Sequence, residues 1–157
     1  MRTMILALVS LVTSCAPPVD PDAGMDVVVD AGPPTYDQVQ AIYTRSCAVG
    51  TSACHSAIGM RGGLNMAEGA SYASTVNRPS TEVLTTPPML IVAPGDPDNS
   101  FLLRKIDGTF TQVPYCMTNR IDCGERMPMV GGQPLAAREI ALIRAWIANG
   151  APGMADH

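Results

Sequence analysis

Three stretches of this chain repeat apolar residues at helical spacing, and long segments rich in glycine, proline and polar residues separate them. In the first, Tyr36, Val39, Ile42 and Tyr43 share one face of a helix that the pattern extends to about Arg45. Thr35-Tyr36-Asp37-Gln38 reads as its capping box, with Pro34 just outside. The second follows the turn Pro94 to Ser100. Asp96 can cap there, Pro97 suits a first helical position, and Leu102, Leu103 and Ile106 follow up to a stop near Asp107-Gly108. The third is the clearest: Ala136 to Asn149 buries Ile140, Ile143, Trp146 and Ile147, with Leu135 positioned to staple onto Ile140 and Gly150 and Pro152 ending the helix. Ala136 fills the N-cap slot without a capping hydroxyl, which costs about 1 kcal/mol.

Between these stretches, Gly59 to Met66 reads as loop, Ala67 to Val76 as a weak helix, and Met89 to Val92 as a short extended run. The glycines of the first are not spaced to cradle a phosphate, and the aspartates at Asp96 and Asp98 lack the ligand spacing and closing Glu of a calcium loop. The fold class predicted is therefore all-α with long loops. Three to five helices should surround one small core over residues 36–151, the first and last helices crossing, with 152–157 as a tail.

Upstream, Arg2 supplies a positive charge and Met4 to Val12 is apolar apart from Ser10, a pattern of secretory signals and too short to span a bilayer. Val12-Thr13-Ser14-Cys15 resembles a bacterial lipobox. Residues 1–15 are thus expected to be a lipoprotein signal peptide whose Cys15 is lipidated. Residues 16–35 carry five prolines and four aspartates with no basic residue, and read as a disordered tether reaching about 25 to 60 Å.

Charge narrows the partners. The net charge is −4 with no run of Lys or Arg, so the surface that neutralises nucleic-acid phosphates is missing. No nucleophile elbow accompanies the serines, and a hydrolase is set aside.

The cysteines carry the chemistry. With Cys15 assigned to lipid, four of the five remain: Cys47, Cys54, Cys116 and Cys123. Cys116 and Cys123 have no neighbouring histidine, and a local disulfide is the simplest use of them. Cys54-His55 instead ends like the C-x-x-C-H element that attaches c-type haem, although six residues separate Cys47 from Cys54. Two uses stay open for that pair: thioether attachment of a haem, or a second local disulfide.

The order of a helix, a Cys…Cys-His element, glycine-rich loops, a Met-Pro and a terminal amphipathic helix resembles a class I cytochrome c. The runs Val92-Ala93-Pro94-Gly95-Asp96-Pro97-Asp98-Asn99-Ser100-Phe101-Leu102, Arg126-Met127-Pro128 and Glu139 to Ala151 are similar to cytochrome c-like domains of planctomycete and myxobacterial envelope lipoproteins. The similarity covers about Tyr36 to Ala151 and departs from those domains in its expanded C-x6-C-H motif and in Ala136 at the last cap. The resemblance implies haem c bound through Cys47 and Cys54, with His55 as proximal and Met127 as distal iron ligand, both metal-binding positions. It implies an electron carrier, lipid-anchored in the bacterial cell envelope, periplasmic or outer-membrane, with redox proteins as partners. Ala16 in place of Asp after the lipidated cysteine inclines the expectation to the outer membrane. The other reading is a haem-free, disulfide-stapled binding or structural module on the same fold.

Overall fold

The computed structural model describes residues 32–48, 54–129 and 133–153. The signal peptide, Cys15, nearly all of the tether and the last four residues of the tail lie outside them. Among the described residues the chain is all-α: five α-helices, three one-turn 3-10 segments and two isolated bridge pairs, with no strand. No described helix is long and apolar enough to cross a membrane.

Helix α1 (Tyr36–Ser46) begins where its capping box predicts. The Gln38 amide donates to Thr35 Oγ1 at 3.4 Å, and the Thr35 amide donates to Gln38 Oε1 at 3.0 Å. Its buried face holds Tyr36, Val39, Ile42 and Tyr43, and also Gln40, which apolar periodicity does not mark. An unpaired buried amide costs about 1–3 kcal/mol. Gln40 avoids that cost at both ends. Its Oε1 accepts from the Tyr36 hydroxyl at 3.0 Å and from the Ser71 hydroxyl, and its Nε2 donates to Thr44 Oγ1 at 3.1 Å and to the Met66 carbonyl at 3.2 Å. The amide thereby ties α1 to α2 (Ser71–Thr75) and to the chain that leads away from His55.

Helix α2 has five residues, not the longer Ala67 to Val76 run. Gly69, the third residue of that run, has φ +78°, a left-handed backbone that no helix interior accepts, so the helix starts only after it. Beyond α2 the chain is held by single bridges, Val76 to Val92 in parallel and Pro79 to Leu90 in antiparallel sense.

Helix α3 (Phe101–Asp107) starts later than the Asp96-Pro97 signal suggests. Asp96 Oδ1 does accept from the Asn99 amide at 3.2 Å, but this caps a separate turn, Pro97–Asn99. Ser100 interrupts the run because its hydroxyl accepts from the Ala93 amide and donates to the Asp96 carbonyl, both at 2.9 Å, fixing an extended backbone between turn and helix. Gly108, at φ +85°, ends α3 as a left-handed cap. A short α4 (Pro114–Thr118) follows, and the Cys116–Cys123 disulfide closes the loop behind it.

Helix α5 (Ala137–Ala148) carries half a capping box: the Ala136 amide donates to Glu139 Oε2 at 2.9 Å, while the Ala136 methyl accepts nothing. Ile143, Trp146 and Ile147 are buried, whereas Ile140 is half-buried. The first and last helices pack together, with α3 against α5. Arg45 pairs with Glu139 across the α1–α5 contact, and the Tyr36 ring lies 6.0 Å from Trp146 and edge-on to Tyr72 at 5.2 Å. Each large side chain buried there adds about 1.5–3 kcal/mol. Helix α3 joins two cores. Leu102, Leu103 and Ile106 belong to the α1–α5 cluster, while Phe101 belongs to a second cluster with Val83, Phe110, Val113 and both disulfide cysteines.

Candidate functional site

Cys47 is the C-cap of α1, where its amide donates to the Tyr43 carbonyl at 2.8 Å. Its own carbonyl accepts from the His55 amide at 3.2 Å, so the two ends of the C-x6-C-H segment are hydrogen-bonded to each other. Cys47 is buried, Cys54 is half-buried with φ +51°, and both are free thiols. Burial, followed by the proximity of Cys54, pushes the Cys47 thiol up to about 12. At neutral pH it is a protonated thiol among apolar neighbours.

His55 is held on three sides. Its carbonyl accepts from the Met66 amide at 2.7 Å, its amide reaches Cys47, and its Nδ1 lies 2.8 Å from the Arg61 carbonyl oxygen. A carbonyl only accepts, so Nδ1 carries the proton and Nε2 of the neutral ring keeps a free lone pair. Burial lowers the His55 pKa, against the Arg61 hydrogen bond and the Glu82 carboxylate, which push it up.

Met127 reaches the site from another direction. Its amide donates to the Lys105 carbonyl at 3.0 Å, and Arg126 Nε donates to the Ile106 carbonyl at 3.0 Å. These are carbonyls of the last turn of α3, which have no partner within the helix. The end of α3 thus positions the Arg126-Met127 pair, and the pair satisfies that end.

Cys47, His55 and Met127 line one apolar slot, completed by Leu64, Met66, Ile91, Phe101, Leu102 and Ile106. It is narrow: the interior of about 60 Å³ is room for a few waters. Cys54 does not line it, although it adjoins His55. Among the described residues no three His, Cys, Asp or Glu side chains cluster closely enough to hold a bare metal ion. The cysteine, histidine and methionine therefore converge on a space and not on a point.

Periodicity did not mark the slot's polar corner. Lys105 is buried and its Nζ donates to Glu82 Oε2 at 3.1 Å and to the Cys123 carbonyl at 2.5 Å. The ammonium also lies 4.9 Å from the Phe110 ring centre and 5.6 Å from that of Phe101. One signal was available: Lys105 stands one turn after Phe101 on the apolar face of α3. Compared with known protein families, with curated proteins and with solved structures, the chain gives no match.

Proposed function

We propose that the slot is the seat of a covalently attached haem and that the protein is an electron carrier of the cell envelope, cytochrome c-like in fold. The observation that carries this reading is the convergence of Cys47, a His55 ring with free Nε2, and Met127 on one apolar slot. The donor set suits the group. An imidazole whose Nδ1 proton is fixed by a carbonyl is oriented and made more basic as an iron ligand, and a thioether as second ligand raises the potential. Cys47 and Cys54 would hold the porphyrin edge, which asks for thiols beside the slot and not for a metal cluster. Haem supplies one-electron chemistry; the chain's own part is to orient His55, present Met127 and exclude water. The slot is narrower than the group, so its flexible lining, Met66 and Met127 foremost, must part to seat it.

A haem-free, disulfide-stapled module is the competing reading. It needs a Cys47–Cys54 bond, whereas both are thiols here and only Cys116 and Cys123 are paired among the described cysteines. The test is expression of the full chain in a bacterium competent in c-type haem attachment. A Soret band, a sharp α-band on reduction and a mass raised by one haem are expected. A colourless protein whose mass has dropped by four hydrogens across Cys47, Cys54, Cys116 and Cys123 overturns the proposal. The lipid anchor at Cys15, membrane attachment and a redox-protein partner belong to the same proposal and are tested by cell fractionation of wild type against Cys15→Ser.

A further inference from the structure

Lys105 is an ammonium whose side chain is 7% exposed in a largely apolar wall, and Glu82 is the one acidic side chain lining the same slot, beside Ser80 and Thr81. A buried charge is tolerated only when paired and hydrogen-bonded. Here the pairing is lopsided: the Glu82 side chain is 30% exposed, at the rim, while Lys105 is fixed beneath it by the Cys123 carbonyl and two aromatic rings. The Glu82 backbone is anchored independently of its carboxylate. Ser80 Oγ accepts from the Glu82 and Val83 amides at 3.1 and 3.3 Å, and the Thr81 hydroxyl donates to the Gly62 carbonyl at 3.1 Å. The carboxylate can therefore leave without unravelling its loop.

We propose that Lys105 is a carboxylate-binding subsite at the polar end of the slot, and that Glu82 occupies it until a ligand carboxylate displaces it. The matching ligand has an apolar body and a carboxylate at one edge. This deepens the haem reading and rests on it for one source of that carboxylate, the acidic edge of a porphyrin; a fatty acid is the other source of the same chemistry. A carboxylate is favoured over other anions because a carboxylate already fills the position at 3.1 Å.

Haem-free full-length protein, made in a host lacking haem attachment, is titrated with protoporphyrin IX and its dimethyl ester, and with decanoate and decanol, following Trp146 fluorescence. Each free acid is expected to bind about 10- to 100-fold tighter than its neutral counterpart, the usual worth of a hydrogen bond to a charged group. Lys105→Met should erase that ratio while the ester and alcohol bind as before, and Lys105→Arg should restore it. Glu82→Gln, which removes the internal competitor, should tighten the acids only. Equal binding of acids and neutral compounds, or a ratio that survives Lys105→Met, overturns the subsite and leaves the haem reading intact. A Lys105-dependent preference for decanoate with no porphyrin bound supports the subsite and assigns its carboxylate to a fatty acid; failure of all four compounds overturns the subsite, while the haem reading is decided separately by the absorption spectrum and mass of protein from the attachment-competent host. Should Lys105→Met lose its near-ultraviolet circular dichroism, Glu82→Gln decides: tighter acids support the subsite, and unchanged acids overturn it.

Discussion

Nδ1 of His55 donates to the carbonyl oxygen of Arg61 at 2.8 Å, and this contact leaves Nε2 of a slot-lining imidazole unprotonated. Burial disfavours the imidazolium more than that carbonyl and Glu82 favour it, so the ring should titrate below its ordinary value of 6.5. The sign for stability follows. Where the folded ring holds its proton less tightly than the unfolded one, stability is present above pH 6.5 and is lost as pH falls through the folded value. NMR titration of the haem-free protein, with His55→Gln identifying the resonance, checks this; a midpoint at or above 6.5 would contradict it.

Gly108 and Arg126 form the support of Met127. A Cβ on Gly108 would lie 3.1 Å from Arg126 Cδ and 3.3 Å from its Nε, at a backbone φ of +85°. Gly108→Ala should therefore cost about 1–3 kcal/mol in urea unfolding. It should also displace the Arg126 Nε bond to Ile106. Arg126→Ala, which removes the Cγ, Cδ and Nε that the new Cβ would meet, should relieve part of that loss in the double variant; additive losses would show that the two residues do not press on each other.

The α-helical frame was legible because its signals are local. Thr35, Gln38 and the Tyr36-Val39-Ile42-Tyr43 face locate α1 to within a residue, and Trp146 with its neighbours does the same for α5. The start of α3 was misplaced because a serine hydroxyl seven residues from Ala93 overrides the Asp96-Pro97 signal. The slot was half legible. Cys47, His55 and Met127 stand out by type, but Arg61 acts through its carbonyl, which sequence does not mark, and Lys105 acts by being buried, which lysine rarely is. Gln40 is invisible for the same reason: its role is set by Ser71 and Met66, 31 and 26 residues away.

The Cys116–Cys123 disulfide is buried in the second core cluster beside Phe101 and Phe110. Closing a loop with a sequence separation of seven is worth about 2.5 kcal/mol by the loop-entropy relation. Replacing both cysteines by alanine should lower unfolding stability by about that amount, plus the lost packing. Because the Cys123 carbonyl accepts from Lys105, the slot should loosen with it, read as faster amide exchange at Met127. Exchange unchanged at Met127 would separate the disulfide from the site.

Cys47 and Cys54 should differ sharply in reactivity. In the haem-free protein carrying Cys15→Ser, iodoacetamide at pH 8 should label Cys54 and spare Cys47, whose thiol burial holds near 12. Two adducts per folded chain would contradict the burial. The raised value also sets a sign at high pH. The folded thiol keeps its proton where the unfolded one has lost it, so stability is present below pH 9.0 and falls as pH rises toward about 12. Cys47→Ala should flatten that alkaline loss, with Tyr43, whose buried phenol is also raised, accounting for what remains.

Two methionines line the slot, and their supports tell them apart. The Met66 amide donates to the His55 carbonyl, so Met66 belongs to the segment that carries the imidazole. Met127 comes from a different segment, anchored by its amide and by Arg126 on the last turn of α3. Were haem bound as proposed, Met127 would be the residue to supply the thioether ligand, because it comes from a segment separate from the one that carries His55. In the haem-loaded protein, Met127→Leu should abolish the spectroscopic signature of thioether ligation and lower the reduction potential, since a thioether ligand raises it. Met66→Leu should leave both in place and change only packing, by less than about 1.5 kcal/mol for a swap of similar volume. Loss of the signature in Met66→Leu and its retention in Met127→Leu would reverse the assignment.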